Sequence, residues 1–113
     1  MQRELPPQIY EIRDLILQSV EAEKIYLFGS YAYGTPTEDS DYDFYVVLPD
    51  NYPMRRHAAA VKIRLDIIPA SEDKPCDILV NYKTQFERTS REPSLIRKIV
   101  REGITLYDRS QTN

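Results

Sequence analysis

Residues 27–47 read LFGSYAYGTPTEDSDYDFYVV, and this stretch decides the fold. A short apolar run ends at Gly29 and Ser30, and a polar segment typical of a loop leads to a second run that begins with Asp41 and Asp43. The second run is rich in aromatic and β-branched residues, which favours a strand. We therefore predict two strands, joined by one helical turn over residues 30–34 and a short loop.

Apolar residues at helical spacing place the helices around these strands. A first amphipathic helix is predicted over residues 7–22 and a second after Pro53, whereas the last helix is expected to end at Gly103 in a left-handed cap. The apolar faces of the three helices are, in order, Ile9, Ile12, Leu15, Ile16 and Val20; Met54, Ala58, Val61, Leu65 and Ile68; and Leu95, Ile96, Ile99 and Val100.

A third strand is predicted at CDILV, residues 76–80, and Ile104 and Leu106 are expected to return to the sheet. The resulting order of helix, strand, strand, helix, strand, helix indicates an α/β sandwich built on a small sheet. With 113 residues and 42% hydrophobic content, residues 1–113 are expected to form a single domain. A complete template-directed polymerase would not fit in it.

Charge and cysteine content exclude several function classes. The net charge of −3 gives no positive field to hold a phosphate backbone, so generic nucleic-acid binding is disfavoured. The lone Cys76 excludes an internal disulfide and a cysteine-rich metal site. No apolar run approaches the roughly 18 residues of a membrane span, and the first residues do not resemble a signal peptide. We expect a cytoplasmic protein without a membrane partner.

The two aspartates of the second strand have a defined geometry. Alternate strand residues share a face, so Asp41 and Asp43 should point the same way with Cα atoms about 6.5 to 7 Å apart. Asp77 opens the third strand and joins them if the two strands are neighbours. Three carboxylates can hold two Mg²⁺ ions for phosphoryl displacement. The alternative is that these are solvated acids beside Glu38 and Asp39.

Gly29 and Ser30 point to a phosphate-binding turn. A glycine after a buried strand lets the backbone approach a ligand closely, and a nucleoside triphosphate fits there. Taken alone the pair is a weak signal, because strand-to-helix turns also use glycine for steric reasons. Its significance comes from the acid pair that follows after a short loop.

These motifs resemble a known family. The runs GSYAYG (29–34), SDYDF (40–44), DILV (77–80) and SLIRKIVREGITLYD (94–108) are similar to the minimal nucleotidyltransferases of the DNA polymerase beta superfamily. The resemblance implies an α/β (α+β) nucleotidyltransferase fold with a small mixed sheet and helices packed against it. It also implies that Gly29 and Ser30 hold the nucleotide phosphates, that Asp41 and Asp43 bind Mg²⁺, and that Asp77 completes the metal site and helps to deprotonate the acceptor hydroxyl.

Family members of this size commonly act as antitoxins paired with a helical HEPN-domain ribonuclease toxin. The resemblance therefore implies an enzyme, a type VII-like antitoxin that transfers AMP from ATP to a toxin tyrosine. One departure is that many relatives carry arginine where this chain has Tyr33, so that a phosphate-facing cation is missing unless Lys62, Arg64 or a partner supplies it. The alternative function is a non-catalytic binding module that neutralises the toxin by steric contact.

Overall fold

A four-stranded mixed sheet forms the centre of the molecule in a computed structural model that describes residues 5–71 and 73–111. The strands lie in the order β3-β2-β1-β4, where β1 is Lys24–Phe28, β2 is Tyr42–Leu48, β3 is Cys76–Tyr82 and β4 is Ile104–Asp108. β1 pairs antiparallel with β2 and β4, whereas β2 and β3 are parallel. The predicted α/β class with a small mixed sheet is confirmed.

The three helices predicted from apolar periodicity and the predicted helical turn are present, and two further short helices occur before the last one. The helices are α1 (Pro7–Ser19), α2 (Ser30–Tyr33), α3 (Arg56–Asp66), α4 (Ile68–Ser71), α5 (Lys83–Thr89) and α6 (Leu95–Glu102), followed by a 3₁₀ turn at Arg109–Gln111. α1 ends three residues before the predicted boundary because Val20 is extended. Gly34 ends α2, as predicted, and it adopts the left-handed conformation. None of the helices within the described ranges is long and apolar enough to cross a membrane.

The two faces of the sheet bury separate cores. α1 and α3 pack on one face, against Ile25, Phe44 and Val46 of the central strands. On the other face α5 and α6 contribute Phe86 and Ile99 to a cluster whose sheet residues are Tyr26, Tyr45 and Val47. β2 is therefore covered on both sides, which explains its nearly continuous apolar sequence. Asp43 interrupts that sequence at the strand entrance.

The predicted apolar face of the second helix is wrong, because α3 is rotated about its axis and buries a different set of residues. α3 turns Ala59, Ala60 and Ile63 inward, whereas Val61 and Leu65 of the predicted stripe are 39% and 61% exposed. The small alanines let α3 approach the sheet and α1 closely, and the bulkier residues are left outside. Size, and not apolarity alone, decides which face is buried here.

Gly103 has a different role from the predicted left-handed cap. Its backbone is extended, at φ −74° and ψ 175°. A Cβ atom at this position would lie 2.5 Å from the Ile99 carbonyl oxygen and 2.8 Å from the Leu27 carbonyl oxygen. Glycine is needed because the end of α6 lies directly against the backbone of β1.

Candidate functional site

The site lies where β2 and β3 begin. The parallel register of β2 and β3 pairs Asp43 directly with Asp77, and the antiparallel register of β1 and β2 pairs Asp43 with Phe28. These three side chains form one row on the face that α5 and α6 cover, because Tyr45, two residues beyond Asp43, packs in that core. Asp41 lies one residue before β2. The structure thus brings Asp43 and Asp77 together, with Asp41 at the entrance.

The electrostatics of Asp43 reflect this crowding. Partial burial is the largest cause that raises the pKa of the Asp43 carboxyl, and together with the negative charges of Asp77 and Asp41 and a hydrogen bond with Asp77 it brings this pKa to about 6. Since two carboxyl groups can share a hydrogen bond only if one of them holds a proton, the site favours uptake of a proton or of a cation. All three acids also raise the pKa of Cys76, although burial is the main cause of its value of about 11. The thiol therefore stays protonated.

Gly29 lies directly against the Asp43 carboxylate. A Cβ atom on Gly29 would be 2.0 Å from Asp43 Oδ2 and 2.9 Å from its Cγ. The φ of Gly29 is +75°, a conformation that residues with a side chain rarely adopt. Both constraints require glycine at this turn. The predicted phosphate-binding turn and the predicted metal ligands are therefore adjacent.

Hydrogen bonds connect the loop between α2 and β2 to Ser30. Ser30 Oγ donates to Ser40 Oγ at 3.2 Å, and Ser40 Oγ accepts from the Thr37 backbone N–H at 2.8 Å. Ser40 directly precedes Asp41 in the sequence, and no role was predicted for it. It holds the loop so that the start of β2 and the Gly29 turn keep a fixed relation.

The acids suit a hard cation by their chemistry. Their donor atoms are all carboxylate oxygens, which Mg²⁺ prefers, and their mutual repulsion would be relieved by a divalent ion. Within residues 5–71 and 73–111, no three Asp, Glu, His or Cys side chains already stand as a finished metal centre. Asp41, Asp43 and Asp77 would have to turn toward a common point, which carboxylates at a solvent-accessible strand entrance can do.

Two lysines contact the tyrosines of α2. Lys74 Nζ lies 5.1 Å from the centre of the Tyr31 ring, and Lys98 Nζ lies 4.8 Å from that of Tyr33. The Tyr31 phenol raises the pKa of Lys74, and Tyr42 and Asp41 add to the effect. No pattern in the sequence indicated a role for either lysine, because the tyrosines that they contact are distant along the chain.

The cations that the sequence suggested for phosphate contact lie elsewhere. Lys62 Nζ donates to Asp66 Oδ2 at 2.7 Å and to Ser19 Oγ at 3.3 Å. Arg64 belongs to the same helix, α3, which packs on the sheet face opposite to Asp43. Neither Lys62 nor Arg64 is brought to the site.

β3 leaves the site open on one side. Asp77 is exposed, and Leu79, the next residue of β3 on the same face, is 39% exposed. Further along that face Asn81 is buried. A large acceptor can therefore approach the carboxylates across the start of β3.

Comparisons with known proteins show the family and the fold. Residues 11–112 match the family described as polymerase beta, nucleotidyltransferase. A candidate nucleotidyltransferase from Sulfolobus solfataricus has a similar structure, with a TM-score of 0.62 and 20% identity over 93% of this chain and 81% of that chain. No curated protein matches in sequence.

Two toxin–antitoxin structures are also similar. One was solved with AMP-PNP and has a TM-score of 0.63 and 25% identity over 89% of this chain and 73% of that chain. The other is a mutant of the MntA–HpeT complex with two aspartates changed to glutamate, and it has a TM-score of 0.62 and 23% identity over the same shares of the two chains. These likenesses confirm the predicted nucleotidyltransferase fold.

Proposed function

Because the chain belongs to the polymerase beta nucleotidyltransferase family, we propose that it is a Mg²⁺-dependent protein adenylyltransferase. It transfers AMP from ATP to a tyrosine of a cognate HEPN-domain toxin and thereby acts as an antitoxin in the cytoplasm. The observation that carries the proposal is the register pairing of Asp43 with Asp77 beside Gly29. This arrangement supports the proposal, because two of the proposed metal ligands lie next to a turn that a phosphate can approach.

The chain's own residues divide the work of the reaction. The Gly29 turn and Ser30 hold the triphosphate, and Asp41, Asp43 and Asp77 hold two Mg²⁺ ions, which when bound neutralise charge on the attacking and leaving oxygens. The acceptor hydroxyl oxygen attacks the α-phosphorus, and the bond from that phosphorus to the bridging oxygen breaks. Pyrophosphate leaves, and the hydroxyl proton passes to Asp77, which is the most exposed of the three carboxylates.

Two observations support a protein acceptor. The start of β3 is open, with exposed Leu79 beside Asp77, so an acceptor side chain carried by a protein surface has access. Two of the similar structures are toxin–antitoxin complexes, one of them solved with AMP-PNP. The proposed partner is therefore a toxin, and the proposed donor is an adenine nucleotide.

The test is intact mass spectrometry of a candidate HEPN-domain toxin, sought in the adjacent reading frame, after co-expression with this protein. Toxin co-expressed with the wild-type protein is expected to gain the mass of an adenylyl group, and peptide mapping should locate it on a tyrosine. The double variant Asp41→Asn/Asp43→Asn should leave the toxin unmodified. Asp39→Asn is the matched control, since it removes an exposed acid of the preceding loop and should leave the modification intact.

The same experiment separates the catalytic function from the steric alternative. The complex should form with the double variant as well as with the wild type, because both substitutions keep the size of the side chain. The decisive outcome is a wild-type protein that binds both the toxin and ATP but adds no adenylyl mass to the toxin. That result would refute adenylyl transfer, and neutralisation by contact would become the better account.

A further inference from the structure

The helical turn α2 carries two aromatic rings where a phosphate-binding turn needs positive charge. Tyr31 and Tyr33 occupy it, and each ring is covered by the ammonium group of a lysine. Both distances are within the roughly 6 Å of a cation–π contact. The lysines come from different elements, since Lys74 precedes β3 and Lys98 lies in α6. Two cations thus converge on one turn from separate parts of the chain.

From this convergence we infer that Lys74 and Lys98 bind the triphosphate of the nucleotide and supply the positive charge that Tyr33 does not. The inference rests on the proposed function, because it assigns the phosphate contacts of the same site. It names two binding residues to which the sequence analysis assigned no role: Lys74 lies outside the quoted motifs, and Lys98 lies in the run 94–108.

The position of Lys74 connects it to the metal ligands. Its ammonium donates to the Glu38 carbonyl oxygen at 3.4 Å and also lies 5.5 Å from the centre of the Tyr42 ring. Glu38 belongs to the loop before Asp41, and Lys74 itself lies three residues before Asp77. The cation therefore stands next to the entrance of the carboxylate cluster.

The position of Lys98 connects it to the end of β1. The last residues of α6 lie against β1, as the close approach of Gly103 to the Leu27 carbonyl oxygen shows. Lys98 itself is exposed. Its ammonium reaches Tyr33 of α2 from α6, which is a different element from the one that carries Lys74.

Both lysines keep their charge available. Among the residues that the structure describes, the ion-paired lysines are Lys24, with Asp108, and Lys62, with Asp66; neither Lys74 nor Lys98 has a carboxylate within 4 Å. A cation–π contact at an exposed site is weaker than a charge-assisted hydrogen bond to phosphate. Each ammonium can consequently leave its ring for a triphosphate oxygen with a net gain.

The need for these cations follows from the charges at the site. Three carboxylates surround the entrance of β2 and β3, and the whole chain has a net charge of −3. A triphosphate that binds there meets repulsion that Mg²⁺ offsets only in part. With Lys62 and Arg64 held on α3, Lys74 and Lys98 are the lysines that contact α2.

The test is isothermal titration of the purified protein with ATP and Mg²⁺, and separately with adenosine. Lys74→Gln and Lys98→Gln are each expected to weaken ATP binding roughly tenfold, the scale of one charge-assisted hydrogen bond. Adenosine, which has no phosphate, should bind the variants as it binds the wild type. Lys98→Arg should retain ATP affinity, because it keeps the charge.

Lys83→Gln is the matched control and should leave ATP affinity unchanged. Lys83 is exposed and lies at the opposite end of β3, roughly 20 Å from Asp77. Equal ATP affinity of the wild type and the Lys74→Gln/Lys98→Gln double variant would overturn the inference while leaving the proposed function standing. Equal losses of ATP and adenosine would also overturn it, because they would indicate a structural role. A wild-type protein that binds no ATP with Mg²⁺ would refute the proposed function together with the inference.

Discussion

Asp43 and Asp77 face each other directly across the parallel ladder of β2 and β3, and the negative charge of Asp77 helps to raise the pKa of the Asp43 carboxyl to about 6. The side chains of acids that are close only in sequence often point apart into solvent. Acids paired across two strands, as Asp43 and Asp77 are, are held near each other by the sheet. The repulsion between these two groups is built into the sheet. It is offset when the site takes up a proton or a cation.

Stability should depend on pH through Asp43. The unfolded carboxyl titrates at 3.8 and the folded one at about 6, so between these values the folded state binds more protons. The stabilisation that this gives is complete below pH 4 and is lost as pH rises through 6. The shift sets an upper limit of about 3 kcal/mol, and partial solvation of Asp43 reduces our expectation to about 1 kcal/mol.

Urea denaturation of the wild type and of Asp43→Asn from pH 4 to pH 7 measures this difference. The wild type should lose about 1 kcal/mol more than the variant over this range. Added Mg²⁺ should flatten the wild-type curve at the upper end, because a metal that binds the folded site replaces the proton. Parallel curves for the two proteins would show that Asp43 is not the titrating group.

Asp43→Asn should separate activity from stability. We expect Mg²⁺-dependent adenylyl transfer to fall by more than roughly 100-fold, since loss of an outer-shell metal partner alone costs up to that much. The melting temperature at pH 7 should be unchanged or higher, because the substitution removes a like-charge repulsion. Calorimetry with a transfer assay checks both. A variant that unfolds would indicate that Asp43 is needed by the fold and not by the chemistry.

Gly29→Ala should destabilise the protein through the Asp43 side chain. The new methyl group would meet Asp43 Oδ2 at 2.0 Å, and the backbone at φ +75° would be strained in addition. We expect a loss of about 2 kcal/mol in unfolding free energy. In an Asp43→Ala background the loss should shrink by at least roughly 0.5 kcal/mol, because only the Cβ of residue 43, at 3.3 Å, then remains near the methyl group. Additive losses would contradict this contact.

The strands could be predicted because runs of this composition seldom form another secondary structure. The runs that became β1 and β2 are short, apolar, rich in β-branched or aromatic residues and bounded by glycine or proline. α5 was not predicted because Phe86 is its only buried residue, and one apolar position gives no period. The end of α1 was placed too late for a related reason, since Val20 stays buried after the backbone has become extended.

The site was predictable where it depends on the strands and not where it depends on distant contacts. Alternation along β2 and the assumption that β3 is its neighbour suffice to bring Asp77 to Asp43. Ser40, Lys74 and Lys98 depend instead on the path of a loop and on the packing of α6, neither of which is encoded by a local pattern. Pairings between residues so far apart in sequence become visible only in three dimensions.

The rotation of α3 can be tested with two residues that lie two positions apart. Ile63 is fully buried against the sheet, whereas Leu65, from the stripe that the sequence predicted to be buried, is 61% exposed. Ile63→Ala should therefore cost about 2 to 5 kcal/mol of unfolding free energy, through lost burial and a cavity. Leu65→Ala should change it by no more than about 0.5 kcal/mol. Urea denaturation of both variants at one pH gives the comparison, and each serves as the other's control. A larger loss for Leu65→Ala than for Ile63→Ala would mean that the predicted stripe, and not the face seen in the structure, packs on the sheet.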